Sequence, residues 1–133
     1  MDTPKHLEHK PIMSVNNYDE KVEIGSDAKA LSIGKAQYNK QEYTVKVWRR
    51  PGNRWSRQSE EVPIQRVLNM CILAVSSMNI KEGNSESNSS LKEVVDVDEK
   101  SMDAYKKFIK DNHECLSKKL EELRHHIDGF LKN

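Results

Sequence analysis

Long apolar runs are missing from this sequence, as are most residues from which cofactor loops and disulfide frameworks are built. The longest apolar run, residues 67–75, is interrupted by Asn69 and falls well short of the roughly 20 residues a membrane span needs. No membrane association is therefore expected. Only two cysteines occur, Cys71 and Cys115, and Cys71 lies in the most hydrophobic segment, where a free thiol behaves as a small apolar side chain. Five glycines leave little material for a loop that cradles phosphates, and no phosphate-loop, nucleophile-elbow or paired histidine–glutamate motif is present. Signal-peptide character is lacking too, because Lys5, His6, Glu8, His9 and Lys10 stand where its apolar core would be. These absences point to an intracellular protein, nuclear or cytoplasmic, in which the Asn88-Ser89-Ser90 sequon is silent. No enzymatic activity, cofactor or metal is expected.

What is present is a segregation of charge. Residues 1–28 hold three lysines against six acids, whereas residues 29–61 hold eight Lys/Arg against three acids. Positive charge is thus gathered into one short region. With 35% hydrophobic and 32% charged residues over 133 positions, one domain is expected, part of it unpacked.

Residues 1–27, with Pro4, Pro11 and the turn pair Asn16-Asn17, read as a disordered arm. Residues 28–80 read as a β-hairpin and helix core. Within it, residues 29–38 make a strand, and 43–50 make the best strand in the chain, with Tyr43, Val45 and Val47 on one face and Thr44, Lys46 and Trp48 on the other. Pro51-Gly52 suits the centre of a type II turn, after which residues 54–61 would run back antiparallel. Ile64, Val67, Leu68, Cys71, Ile72, Val75 and Met78 then follow the i, i+3, i+4, i+7 pattern of a helix, which is expected to be buried against Tyr43, Val45 and Val47. Residues 81–97 read as a polar loop, and 98–133 as a long amphipathic helix. The fold class is therefore α+β: a small antiparallel sheet of about three strands packed on a buried helix, plus the C-terminal helix.

Two features suggest binding. A hairpin symmetric about Pro51-Gly52 sets Trp48 opposite Trp55 and Lys46 opposite Arg57, with Arg49, Arg50 and Arg54 nearby. Such a face offers indoles for stacking and cations for phosphates or an acidic protein surface; alternatively, the indoles bury each other and serve stability alone. In the C-terminal helix, Met102, Ile109, Leu116, Leu123 and Phe130 recur every seven residues, with Leu120 and Ile127 in the alternate position. Leu116, Leu120, Leu123 and Ile127 form a narrow seam suited to a partner helix or to a homodimer. The alternative is an amphipathic helix packed throughout on its own domain. The histidines are too scattered to suggest a zinc site. The expectation is a non-catalytic adaptor subunit that uses the seam and the basic hairpin to bind protein. The competing class is a single-stranded nucleic-acid-binding protein reading through the same hairpin.

Overall fold

The structure is a computed structural model describing residues 11–36, 42–56, 61–79 and 99–133. Its elements are β1 (Pro11–Asn16), α1 (Tyr18–Lys21), β2 (Ala28–Lys35), β3 (Tyr43–Arg49), β4 (Glu61–Pro63), α2 (Ile64–Met78), α3 (Glu99–Asp111) and α4 (His113–Leu131). The four strands form one antiparallel sheet in the order β1-β2-β3-β4. The α+β class is as expected, with four strands rather than three. The chain divides into two units, Met1–Ile72 and Leu73–Asn133, each described by itself below.

The additional strand comes from the segment expected to be an arm. Met13 and Val15 alternate with Ser14 and Asn16, a period of two that half-buried strands share. Asn17, in the left-handed region at φ 57°, reverses the chain into the single turn of α1. Asparagine tolerates that conformation better than most residues. Asp19 of α1 accepts a 2.9 Å ion-paired hydrogen bond from Lys29 Nζ, tying the turn to the start of β2. Residues 11–27 are thus ordered elements of the sheet unit, whereas residues 1–10 and the expected loop 81–97 lie outside the described residues.

The hairpin expected around Pro51-Gly52 is not formed there. The tightest hairpins need positive φ at the first central residue, which proline cannot adopt, so a Pro-Gly turn of type II would splay the strands. The chain instead makes a wider loop, with Ser56 N–H donating to Arg49 O at 2.7 Å and Arg50 N–H donating to Asp27 O at 2.8 Å. Among the described residues the next ladder pairing is at β4, which sets Lys46 opposite Glu61 and Val45 opposite Val62. On its other edge β3 pairs Trp48 with Ala30 and Lys46 with Ser32. The expected partner of Lys46 is corrected accordingly, Glu61 standing opposite it; Arg57 lies outside the described residues.

Burial also inverts the expectation. Ala30, Ser32, Thr44 and Trp48 are buried, the indole being only 1% exposed. The face bearing Thr44, Lys46 and Trp48 is therefore the inner one, and Tyr43, Val45 and Val47 look outward. Small residues on β2 explain the choice, since Ala30 and Ser32 leave room for an indole to lie across the strand. One buried tryptophan removes about 150–250 Å² from water, more than any single valine can. With the sheet turned this way, α2 does not form the core expected of it. None of its residues is buried, and Leu68 is 56% exposed. Ile64, Val67, Cys71 and Val75 are half-buried, while Met70, Ile72 and Leu73 are exposed.

In the C-terminal unit the expected long helix is interrupted once. Asn112 departs from helical geometry at φ −111°, ψ 15° and separates α3 from α4. Its side-chain amide donates to Phe108 O at 2.8 Å, the carbonyl to which its own backbone N–H also donates at 3.0 Å. This sharing of one acceptor is how short polar side chains compete with a helical ladder. Ser77 and Tyr105 hydroxyls are hydrogen-bonded, joining the end of α2 to α3.

Candidate functional site

Register across the sheet sorts the side chains into two faces of opposite character. On the inner face one polar row, Ser14–Ser32–Lys46–Glu61, crosses all four strands. It is flanked by Asn16–Ala30–Trp48 on one side and Gly34–Thr44–Pro63 on the other. These polar groups are engaged with one another. Trp48 Nε1 donates to Ser32 Oγ at 2.7 Å, and Thr44 Oγ1 donates to Glu61 Oε1 at 3.0 Å. Lys46 Nζ stands 4.1 Å from the centroid of the Trp48 ring. Loss of hydration holds that ammonium below the ordinary lysine range, with the Glu61 charge pulling the other way.

The outer face is apolar. Met13, Ile33, Val45 and Val62 form one row across the four strands, and Val15, Leu31 and Val47 form the next. Tyr43 stands beside them. The interior positions are half-buried, while Met13 is 65% exposed and Val15 and Tyr43 are also exposed. An antiparallel sheet usually turns its polar side to water. Here Ser32 of the polar row is buried, Lys46 and Glu61 are half-buried like the interior apolar positions, and the apolar rows end in exposed side chains at β1.

The expected basic site is partly assembled. Trp48 and Trp55 meet edge to face at 5.9 Å, and the Arg50 guanidinium lies 5.7 Å from the Trp55 centroid. Lys46, Trp48, Trp55 and Arg50 thus form one continuous stack of rings and cations. With Trp48 buried, its ring cannot serve as a stacking platform for a base, and that part of the expectation is corrected. Arg49 points elsewhere and pairs with Asp27 at 2.7 Å, and Arg50 donates to Asn53 O at 2.7 Å. Arg54 is exposed on the loop and Trp55 is half-buried.

In α4 the residues of the expected seam lie along one stripe of the helix. Leu116, Leu120 and Leu123 are half-buried and Ile127 is exposed, continuing into Phe130 and Leu131, of which Phe130 is 77% exposed. Among the described residues no cluster of three or more His, Cys, Asp or Glu side chains could hold a metal, and no helix is long and apolar enough to cross a membrane. Cys71 and Cys115 are free thiols.

A family model matches residues 1–93, more than half of the chain. The chain belongs to a family of unknown function (DUF6530). No curated protein and no solved structure is significantly similar to it. The DUF6530 match spans the whole sheet and α2, so both sheet faces lie inside the family region, whereas α3 and α4 lie beyond it.

Within the DUF6530 region, sequence reasoning missed the outer apolar rows. Their signal was the Met13/Val15 alternation directly before the Asn16-Asn17 turn. Pro11 and the polar surroundings obscured it, and β1 shows how such a segment is accommodated: it is an edge strand, with a register shift between Pro11 and Met13.

Proposed function

We propose that this chain is a non-catalytic interaction subunit of an intracellular assembly, binding a protein partner through the outer face of its sheet. The observation that carries the reading is the pair of apolar rows, Met13–Ile33–Val45–Val62 and Val15–Leu31–Val47, ending in exposed side chains at β1. Contiguous exposed apolar surface is costly in water and marks contact sites. The inner face supports the same reading, because Ser32, Thr44 and Glu61 are committed to hydrogen bonds within the sheet.

The nucleic-acid alternative draws on the charge gathered in residues 29–61. Its support is weaker, since Trp48 is buried and Arg49 is neutralised by Asp27, leaving Arg50, Arg54 and Trp55 on the loop.

The test is affinity capture from nuclease-treated native extract with the full chain and with a Met13→Glu/Val15→Glu variant. Both positions are exposed, so the variant should keep its melting temperature. A defined set of proteins held by the wild type and lost by the variant is the expected result. Capture that nuclease abolishes would reject this reading in favour of the nucleic-acid one.

A further inference from the structure

The apolar seam of α4 runs Leu116, Leu120, Leu123, Ile127, Phe130, with steps alternating between four and three residues. That is the 3.5-residue period of a helix built to lie against another helix. The positions bordering this seam are Ser117, Arg124 and Leu131 on one side and Lys119 and His126 on the other. None is acidic. The four acids of α4, Glu114, Glu121, Glu122 and Asp128, all sit further from the seam. There Glu114 is paired with Lys118 and Glu121 with Arg124 along the helix itself. Among the described residues Lys119 makes no ion pair, and Arg124 has guanidinium donors beyond those Glu121 uses.

This border decides which occupant fits. In a parallel pair of two copies, Lys119 of each would face Arg124 of the other, twice over. In an antiparallel pair, the Lys119-bearing borders would face each other and so would the Arg124-bearing ones. The parallel pair sets cation against cation, the arrangement by which helix pairs reject a wrong partner, and the antiparallel pair, with Lys119 against His126 and Arg124 against Ser117 when the helices overlap fully, offers neither cation an acid. A helix whose own seam is bordered by Glu or Asp would meet these cations with opposite charge. A lipid surface is disfavoured by width, because two seam positions per seven residues make a narrower stripe than the broad apolar face of interfacial helices.

We infer that α4 docks an amphipathic helix of another protein bordered by acidic residues, and that its basic border sets it against pairing with itself. This rests on the reading of the chain as an interaction subunit, but on α4 alone and not on the sheet face.

The test uses the full chain and two synthetic helical peptides, both with leucine at the seam positions, one bordered throughout by glutamate and the other by lysine. The glutamate peptide should bind about ten-fold more tightly than the lysine peptide. In Lys119→Glu/Arg124→Glu, substituted on the exposed surface, the order should reverse. In sedimentation, wild type and that variant should each remain monomeric, and their mixture should form a heterodimer. Equal binding of the two peptides would overturn the inference, as would self-association of the wild type as tight as that of the mixture. So would binding to vesicles of equal parts phosphatidylcholine and phosphatidylserine with neither peptide bound. Should the peptides fail while extract capture through Met13 and Val15 persists, only the assignment of α4 falls.

Discussion

Trp48 on β3 and Ser32 on β2 are diagonal neighbours on one face of the sheet, the indole N–H donating to the serine hydroxyl at 2.7 Å with both residues buried. This bond reconciles a large aromatic side chain carrying one polar atom with a buried position, because an unmet indole donor would lose its water without replacement. Ser32→Ala is expected to cost about 1–3 kcal/mol, the penalty for leaving a buried donor unpaired. Trp48→Phe, which removes the donor but keeps most of the ring, should relieve part of that cost in the double variant. Urea titrations of the two single variants and the double variant check this, and strictly additive losses would show that the bond contributes nothing.

How far the sheet could be read from sequence follows from the same residues. Alternation in residues 43–49 identifies β3 and assigns its two faces, but alternation is symmetric and does not say which face is inner. That was decided by β2, where Ala30 and Ser32 leave the space an indole needs. The turn was misplaced because Pro51-Gly52 favours a bend in any local context, while its compatibility with a twisted ladder depends on the strands it joins. The helix period of α2 was legible, but not its burial, since periodicity names a stripe without naming what covers it. That α4 is helical was legible from its apolar repeat, and the charges bordering that repeat were equally visible in the sequence.

Lys46 gives a stability signature in alkaline solution. Its folded pKa lies below the ordinary 10.5, chiefly because the ammonium is partly stripped of water beside Trp48. Between the folded value and 10.5 the unfolded chain holds a proton that the folded chain has released. Stability contributed by this group therefore rises with pH through that window, and is flat below and above it. Tyr18 acts oppositely above 10.0, because burial, helped by Glu23, raises its pKa. The informative quantity is the difference between wild type and Lys46→Met, which should grow less unfavourable to the wild type as pH climbs towards 10.5. A difference independent of pH would remove the claim that Lys46 is held below its ordinary range.

Arg49 and Asp27 meet at 2.7 Å, with both side chains more than a third exposed. Pairs so placed are screened by solvent and salt, and contribute about 0–1 kcal/mol. Arg49→Gln should lower stability by no more than that at low ionic strength, and by nothing measurable in molar salt. Thermal melts at the two salt concentrations test it. A larger loss that salt does not touch would mean that the guanidinium acts through packing.

The position of the core can be tested by setting two truncations against each other. Leu68 lies on the α2 stripe that periodicity marks as buried, yet it is 56% exposed, while Trp48 is 1% exposed. Truncating a half-exposed leucine removes few contacts and leaves no cavity, so Leu68→Ala should cost less than about 1 kcal/mol. Alanine also has the higher helix propensity, which offsets part of that small loss. Trp48→Ala opens a void on the inner face over β2 and should cost about 3–5 kcal/mol. Both variants can be measured in one set of urea titrations, where the midpoints separate widely if the inner face of the sheet is the core. Were the Leu68 truncation as damaging as that of Trp48, α2 would have to be covered in solution, and the outward exposure of its apolar residues could not describe the folded chain.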